Sequence, residues 1–107
     1  MVRIRFYGKL EERYNDLAVG RGEAKHLHML IAKAIEKIKE NPHKGKVIPK
    51  PQIPFKYKQL GITTLRRMNL DERWRLIYTL DGSDIEIVAV LLEWKDHPEY
   101  NREFGYD

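Results

Sequence analysis

His97 stands in the stretch "EWKDHPEY", residues 93–100, where an apolar run gives way to Asp96, Glu99 and Tyr100. An imidazole that titrates near neutrality takes up and returns a proton under physiological conditions. Proton movement of that kind, together with cations that offset phosphate charge, is what RNA cleavage through the RNA's own 2'-hydroxyl requires, and the route needs no metal. Asp96, His97 and Glu99 lack a strong metal-ligand spacing, so no metal is expected there. The same stretch carries helix-start chemistry, with Asp96 as cap, Pro98 in the first turn and Glu99 near the positive end. The two roles are compatible.

The cations are unevenly spread. The chain holds 20 Lys and Arg against 16 Asp and Glu, a balance that by itself carries little. Residues 43–75, however, contain Lys44, Lys46, Lys50, Lys56, Lys58, Arg66, Arg67, Arg73 and Arg75, with only Asp71 and Glu72 opposing them. Residues 93–107 reverse the sign, with Glu93, Asp96, Glu99, Glu103 and Asp107 against Lys95 and Arg102. A basic face suits a polyanion, and Lys46, Lys50, Arg66, Arg67 and Arg73 are the candidate phosphate contacts. Tyr57, Trp94, Tyr100 and Phe104 are candidates for stacking on unpaired bases, although rings of this kind also serve cores and interfaces.

These residues need elements to position them. "VRIRFY" at 2–7 alternates apolar and polar residues as a half-buried strand does. "KLEERYNDLAVG" predicts a short helix. Within 22–41, Leu27, Leu30, Ile31, Ala34, Ile35 and Ile38 recur at spacings of three and four, the stripe of an amphipathic helix, which Asn41 and Pro42 end. His26 and His28 are two apart and share no helix face, so they are not expected to hold a metal together. "HKGKVIPKPQIPFKYK" at 43–58 reads as a long, lysine-rich loop because its prolines and glycine interrupt regular structure. "TTLRRMNL" and "WRLIYTL" predict two strands. "DGSD" at 81–84 offers hairpin-turn residues, and "IEIVAVLLEW" predicts a last strand covered on both faces. Arg75, Ile77 and Thr79 alternate against Trp74, Leu76, Tyr78 and Leu80, which points Arg75 to the face the helices leave open. A surface ion pair with Glu86 is its plainer role. The sum is a single α+β domain over 1–107, a small antiparallel sheet with two N-terminal helices packed on one face.

With 107 residues the chain is sized for one core. It contains no cysteine, which excludes disulfides, thiol catalysis and thiolate metal sites. The opening "MVRIRFYG" lacks the form of a signal peptide and no window approaches a membrane span, so a cytoplasmic protein is expected.

The order of elements, with "LRRMNLDERWRLIYTLDGSDIEIVAVLLEWKDHPEY", resembles the RelE/ParE superfamily of toxins from toxin–antitoxin pairs. The likeness is carried mainly between Tyr57 and Tyr106, by "YKQL", by "WRLIYTL" and by the terminal His and Tyr cluster. It implies a RelE-like fold and, for the ribosome-dependent branch, metal-independent and cofactor-free cleavage of mRNA in the ribosomal decoding site. Arg75 matches the arginine of the strand before the hairpin, and Lys56 and Lys58 the basic residues preceding the sheet. Arg66 or Arg67 matches a basic position in the first meander strand. His97 and Tyr100 fall in the terminal catalytic cluster, here extended to "HPEYNREFGY" without the branch's tight pairing of His and Tyr, which leaves base and acid unassigned. The implied partners are a cognate antitoxin, the ribosome and mRNA. The rival reading is a non-cleaving binding protein, either a gyrase-directed toxin or an inactive, antitoxin-bound regulator.

Overall fold

The computed structural model describes residues 2–82 and 85–105. Alternating apolar residues form β1 (Val2–Phe6), with Arg3 and Arg5 exposed. Next come α1 (Leu10–Ala18) and α2 (Glu23–Glu40). In α2 the stripe is buried at Leu27, Ile31, Ala34 and Ile38, and Asn41 leaves helical geometry at φ −151° ahead of Pro42. His26 and His28 have separate surroundings, His26 near Asp71 and His28 stacked on Tyr14.

The stretch 43–58 is more ordered than its prolines and glycine predict. It contains β2 (Lys46–Val47), a 3₁₀ turn at Lys50–Gln52 and α3 (Phe55–Gln59). Then follow β3 (Arg66–Asn69), β4 (Trp74–Gly82), β5 (Ile87–Asp96) and α4 (His97–Phe104). Part of the "DGSD" turn, Ser83 and Asp84, lies outside the described residues. The architecture is α+β, with a five-stranded sheet in the order β1-β5-β4-β3-β2.

Two expectations are corrected. The sheet is mixed: β1 runs parallel to β5, while the other neighbours are antiparallel. Period-two alternation is the same for either direction, so the sequence of β1 carried no sign of it. Nor do helices cover one face only. On the α1/α2 side Leu10, Ala34, Ile38, Met68, Leu76, Tyr78, Ala89 and Leu91 form one core. On the opposite side Ile48, Ile53, Tyr57, Leu65, Ile77, Leu92, Tyr100 and Phe104 form a second, roofed by the segment around α3 and by α4. β5 contributes to both cores, as its unbroken apolar run requires. Glu86 pairs with Arg3 at 2.9 Å.

A β-bulge interrupts the β4–β5 ladder: Ile77 faces Glu93, but Tyr78 faces Leu91. Leu92 and Glu93 therefore turn to the same side. Beyond it Trp94 packs against the α2-side core, and Lys95 faces α4.

Tyr78 ties the sheet to the turn after α2. Its fully buried hydroxyl donates to the Pro42 carbonyl at 2.9 Å and accepts from the Gly45 amide at 2.9 Å. Burial pushes this phenol up and keeps it protonated, against smaller opposing effects of the Gly45 amide and Arg66. Tyr78→Phe strands both backbone groups, at an expected cost of about 1–3 kcal/mol, seen as a lower urea midpoint with an unchanged m-value. Among the described residues no helix is long and apolar enough to cross a membrane.

Candidate functional site

α4 is fixed at both ends. Asp96 caps it, its Oδ1 accepting the Glu99 amide at 3.0 Å, and Gly105 ends it in the left-handed region at φ 79°. Between them the stacked rings of Tyr100 and Phe104, 4.5 Å apart, sink into the second core. His97 is thereby held on the exposed first turn. Its Nδ1 lies 3.4 Å from Asn101 Nδ2.

The sheet brings the cations to this helix. Arg67 and Asn69 alternate on β3 and so share a face. The ladder sets Asn69 opposite Arg75, and Arg75 opposite Lys95. Arg75 is aimed by the preceding turn. Asp71 Oδ1 accepts the amides of Arg73 and Trp74, each at 2.8 Å, and the turn's carbonyls receive Arg75 Nη1, from Asp71 at 3.2 Å and from Glu72 at 3.4 Å. Arg75 Nε is enclosed and has no hydrogen-bond partner among the described residues. Arg67 leans on Tyr100, with Nη1 3.4 Å from the hydroxyl and the guanidinium carbon 5.3 Å from the ring centre.

Asn69, Asp71, Glu72, Arg75 and His97 line an open depression. Burial lowers the Arg75 guanidinium below its ordinary value, Arg67 lowers it further, and Tyr100 and Asp71 work the other way. Two guanidiniums held near one another in partly buried positions favour an anion between them. The arrangement can therefore grip a phosphate beside an accessible imidazole.

The remaining candidates divide. Lys56 Nζ is held by Glu93 at 3.0 Å and Glu103 at 2.7 Å, in a network that Lys95 completes by contacting the same two carboxylates. Lys58 and Lys50 line a different hollow with Ile53, Ile62 and Thr63. Neither Lys56 nor Lys58 lines the depression. Arg66 spans to the carbonyls of His43 and Gly45, and Arg73 pairs with Glu23 at 2.7 Å. Lys46 shares a groove with Arg67 and Asn69. Tyr57 is 4% exposed inside the second core, so its ring has no face to offer a base. Trp94 packs on the α2 side, across the sheet from Arg75, because the bulge reverses the strand's alternation.

Asn69, Asp71 and Asn101 escaped the sequence reading. Asn69 follows Arg67 by two residues in a strand, which was a readable hint, but its pairing with Arg75 depends on ladder register. Among the described residues no group of three His, Asp or Glu side chains is gathered that could hold a metal ion. Comparisons with protein-family models, with curated proteins and with solved structures find no match.

Proposed function

We propose that this protein is a RelE-like toxin of a toxin–antitoxin pair and acts in the cytoplasm as a ribosome-dependent mRNA endoribonuclease. The observation that carries the reading is the convergence of Arg75, Arg67, the Tyr100 hydroxyl and His97 on one end of the sheet. The likeness of "WRLIYTL" and the terminal His and Tyr cluster to that superfamily supports it independently.

In this mechanism the 2'-oxygen attacks the adjacent phosphorus while His97 takes its proton. A bond forms between the 2'-oxygen and phosphorus, and the bond to the 5'-oxygen breaks. That oxygen leaves with a proton, giving a 2',3'-cyclic phosphate and a 5'-hydroxyl. Arg75 and Arg67 offset the negative charge that builds on the phosphoryl oxygens, as cations fixed in advance do best. Tyr100 holds Arg67 in place through its ring and hydroxyl. Asn101 occupies the Nδ1 side of His97, so Nε2 is the nitrogen open to the substrate: its lone pair takes the 2'-hydroxyl proton, and as an imidazolium N–H it gives a proton to the leaving oxygen.

Because the depression is open, it orients a nucleotide weakly, and dependence on the ribosome follows from the need for an outside scaffold. An antitoxin of opposite charge would cover the basic face in the resting pair.

The test is cleavage of a defined mRNA on programmed ribosomes, mapped by primer extension, with Arg75→Ala/His97→Ala alongside. Cuts in the decoding site by the wild type, absent with the variant, are the expected result. A folded wild type that makes no cuts overturns the nuclease and leaves a non-cleaving binding protein.

A further inference from the structure

The turn that joins α2 to β2 is held more firmly than a surface connection requires. Besides its two contacts with the Tyr78 hydroxyl, Arg66 Nη1 donates to the carbonyls of His43 at 3.0 Å and Gly45 at 2.9 Å. Asn41 Oδ1 accepts the His43 amide at 3.1 Å, and the Asn41 carbonyl accepts the Lys44 amide at 3.1 Å. Gly45 sits so low over the sheet that a Cβ there would stand 2.5 Å from the Tyr78 hydroxyl. Only glycine lets the turn settle in that place.

What this fixed turn presents is charge. Lys44 and Lys46 are exposed on it, and together with Lys37 from the last turn of α2 and Arg67, Met68 and Asn69 from β3 they line a groove of about 210 Å³. Among the described residues no acidic one is in that lining. Asn69 also lines the Arg75–His97 depression, so the two concavities adjoin. Four cations gathered in one groove from the turn, α2 and β3 repel one another unless an anion lies among them. Lysines serve phosphate as mobile point charges, and the groove's one apolar lining residue, Met68, gives a base no stacking platform.

We infer that this groove is a second phosphate subsite, which seats the sugar–phosphate backbone of an unpaired RNA strand where it runs on from the scissile phosphate. The inference rests on the nuclease reading and adds Lys37 and Lys44 to the residues that hold substrate. The groove reads backbone and not sequence, so it contributes affinity without base preference. It also sets a minimum length, because a strand that ends at the scissile phosphate leaves the subsite empty.

The experiment is the salt dependence of binding to fluorescent decauridylate, followed by anisotropy, for the wild type, Lys37→Ala/Lys44→Ala and Lys25→Ala/Lys33→Ala. The last removes the same charge from exposed positions of α2 outside the groove lining. The groove variant is expected to bind about tenfold more weakly at low salt, with a log–log slope shallower by about 1.4, two contacts at about 0.7 each. The control is expected to follow the wild type closely. Equal losses in the two variants, an unchanged groove variant, or a wild type that binds no decauridylate would each overturn the subsite. Cleavage on programmed ribosomes by the wild type judges the nuclease separately, so one can fall while the other stands.

Discussion

Arg75→Ala is expected to lower the rate of mRNA cleavage on programmed ribosomes by about 10²–10³-fold, the cost of removing one preorganised charge partner from a transition state. The fold should tolerate the change, because Arg75 is only half-buried and its contacts are with turn carbonyls at the margin of the sheet. Arg75→Lys is the sharper variant. It keeps the charge but loses the planar fork, one nitrogen of which is tied to the turn carbonyls and so fixes the direction of the rest. It is therefore expected to recover little of the rate. Full recovery by lysine would show that charge alone matters, and retained cleavage by the alanine variant would remove Arg75 from the mechanism. Circular dichroism and urea midpoints for both variants separate lost chemistry from lost structure.

Lys95→Met is expected to destabilise the protein by about 3 kcal/mol, the lower end of the range for breaking a buried ion pair. Lys95 has 10% of its side chain exposed and contacts Glu93 at 3.2 Å and Glu103 more closely still. Methionine fills the space but leaves two mostly enclosed carboxylates sharing Lys56, which is half in solvent. Glu103→Gln in the same protein removes one of those charges and is expected to restore part of the loss. If the single and double variants lie on one additive line, the network contributes nothing beyond packing.

The network also sets a pH window. Burial raises the Glu103 carboxyl, but contacts with Lys56 and Lys95 outweigh it and leave the net shift downward. A depressed carboxylate stabilises the fold above its unfolded value, about 4.3, and that contribution fades as the pH falls through the lower folded value. Burial lowers the Lys95 ammonium, but Glu103 and Glu93 outweigh it and hold it above its ordinary value. Its contribution is complete below the unfolded value, about 10.4, and is lost only as the pH rises through the higher folded one. Urea midpoints should form a plateau between those limits. Lys95→Met should make the alkaline edge shallower and leave a remainder, since the Tyr78 and Tyr14 phenols, raised by burial, also titrate there. An alkaline edge as steep in the variant as in the wild type would assign that edge to other groups.

The sequence was most informative where one element decides its own shape. The α2 stripe, the strand carrying Trp74 to Leu80 and the double-faced run in β5 follow from local periodicity. Asp96 was readable as a helix cap for the same reason. What stayed hidden depends on distant partners. Ile48, Ile53 and Tyr57 follow neither a helical nor a strand period, so the cover they make for the second face looked like loop. Tyr57 and Trp94 looked like stacking rings because aromatic residues have the same composition signature in a core and in a site. Lys56 meets Glu93 and Glu103 only after three separate elements pack, and nothing in their spacing announces it. Arg75 stood out through its place in the alternation, yet Asn69 opposite it required the ladder.

The bulge at Leu92 behaves as a frameshift written into a strand. Upstream of it odd-numbered residues of β5 belong to the α2-side core, and downstream the even-numbered ones do. One strand is thus read in two frames, the first for the core alone and the second for Lys95 and the helix that carries His97. Strict alternation of the same residues, with no bulge to shift the frame, would send Lys95 toward the oily side and Trp94 toward the phosphate side. The phase of the strand, and not its composition, decides where Trp94 and Lys95 stand, so a redesign that kept every letter but let β5 pair without the bulge would be a different molecule.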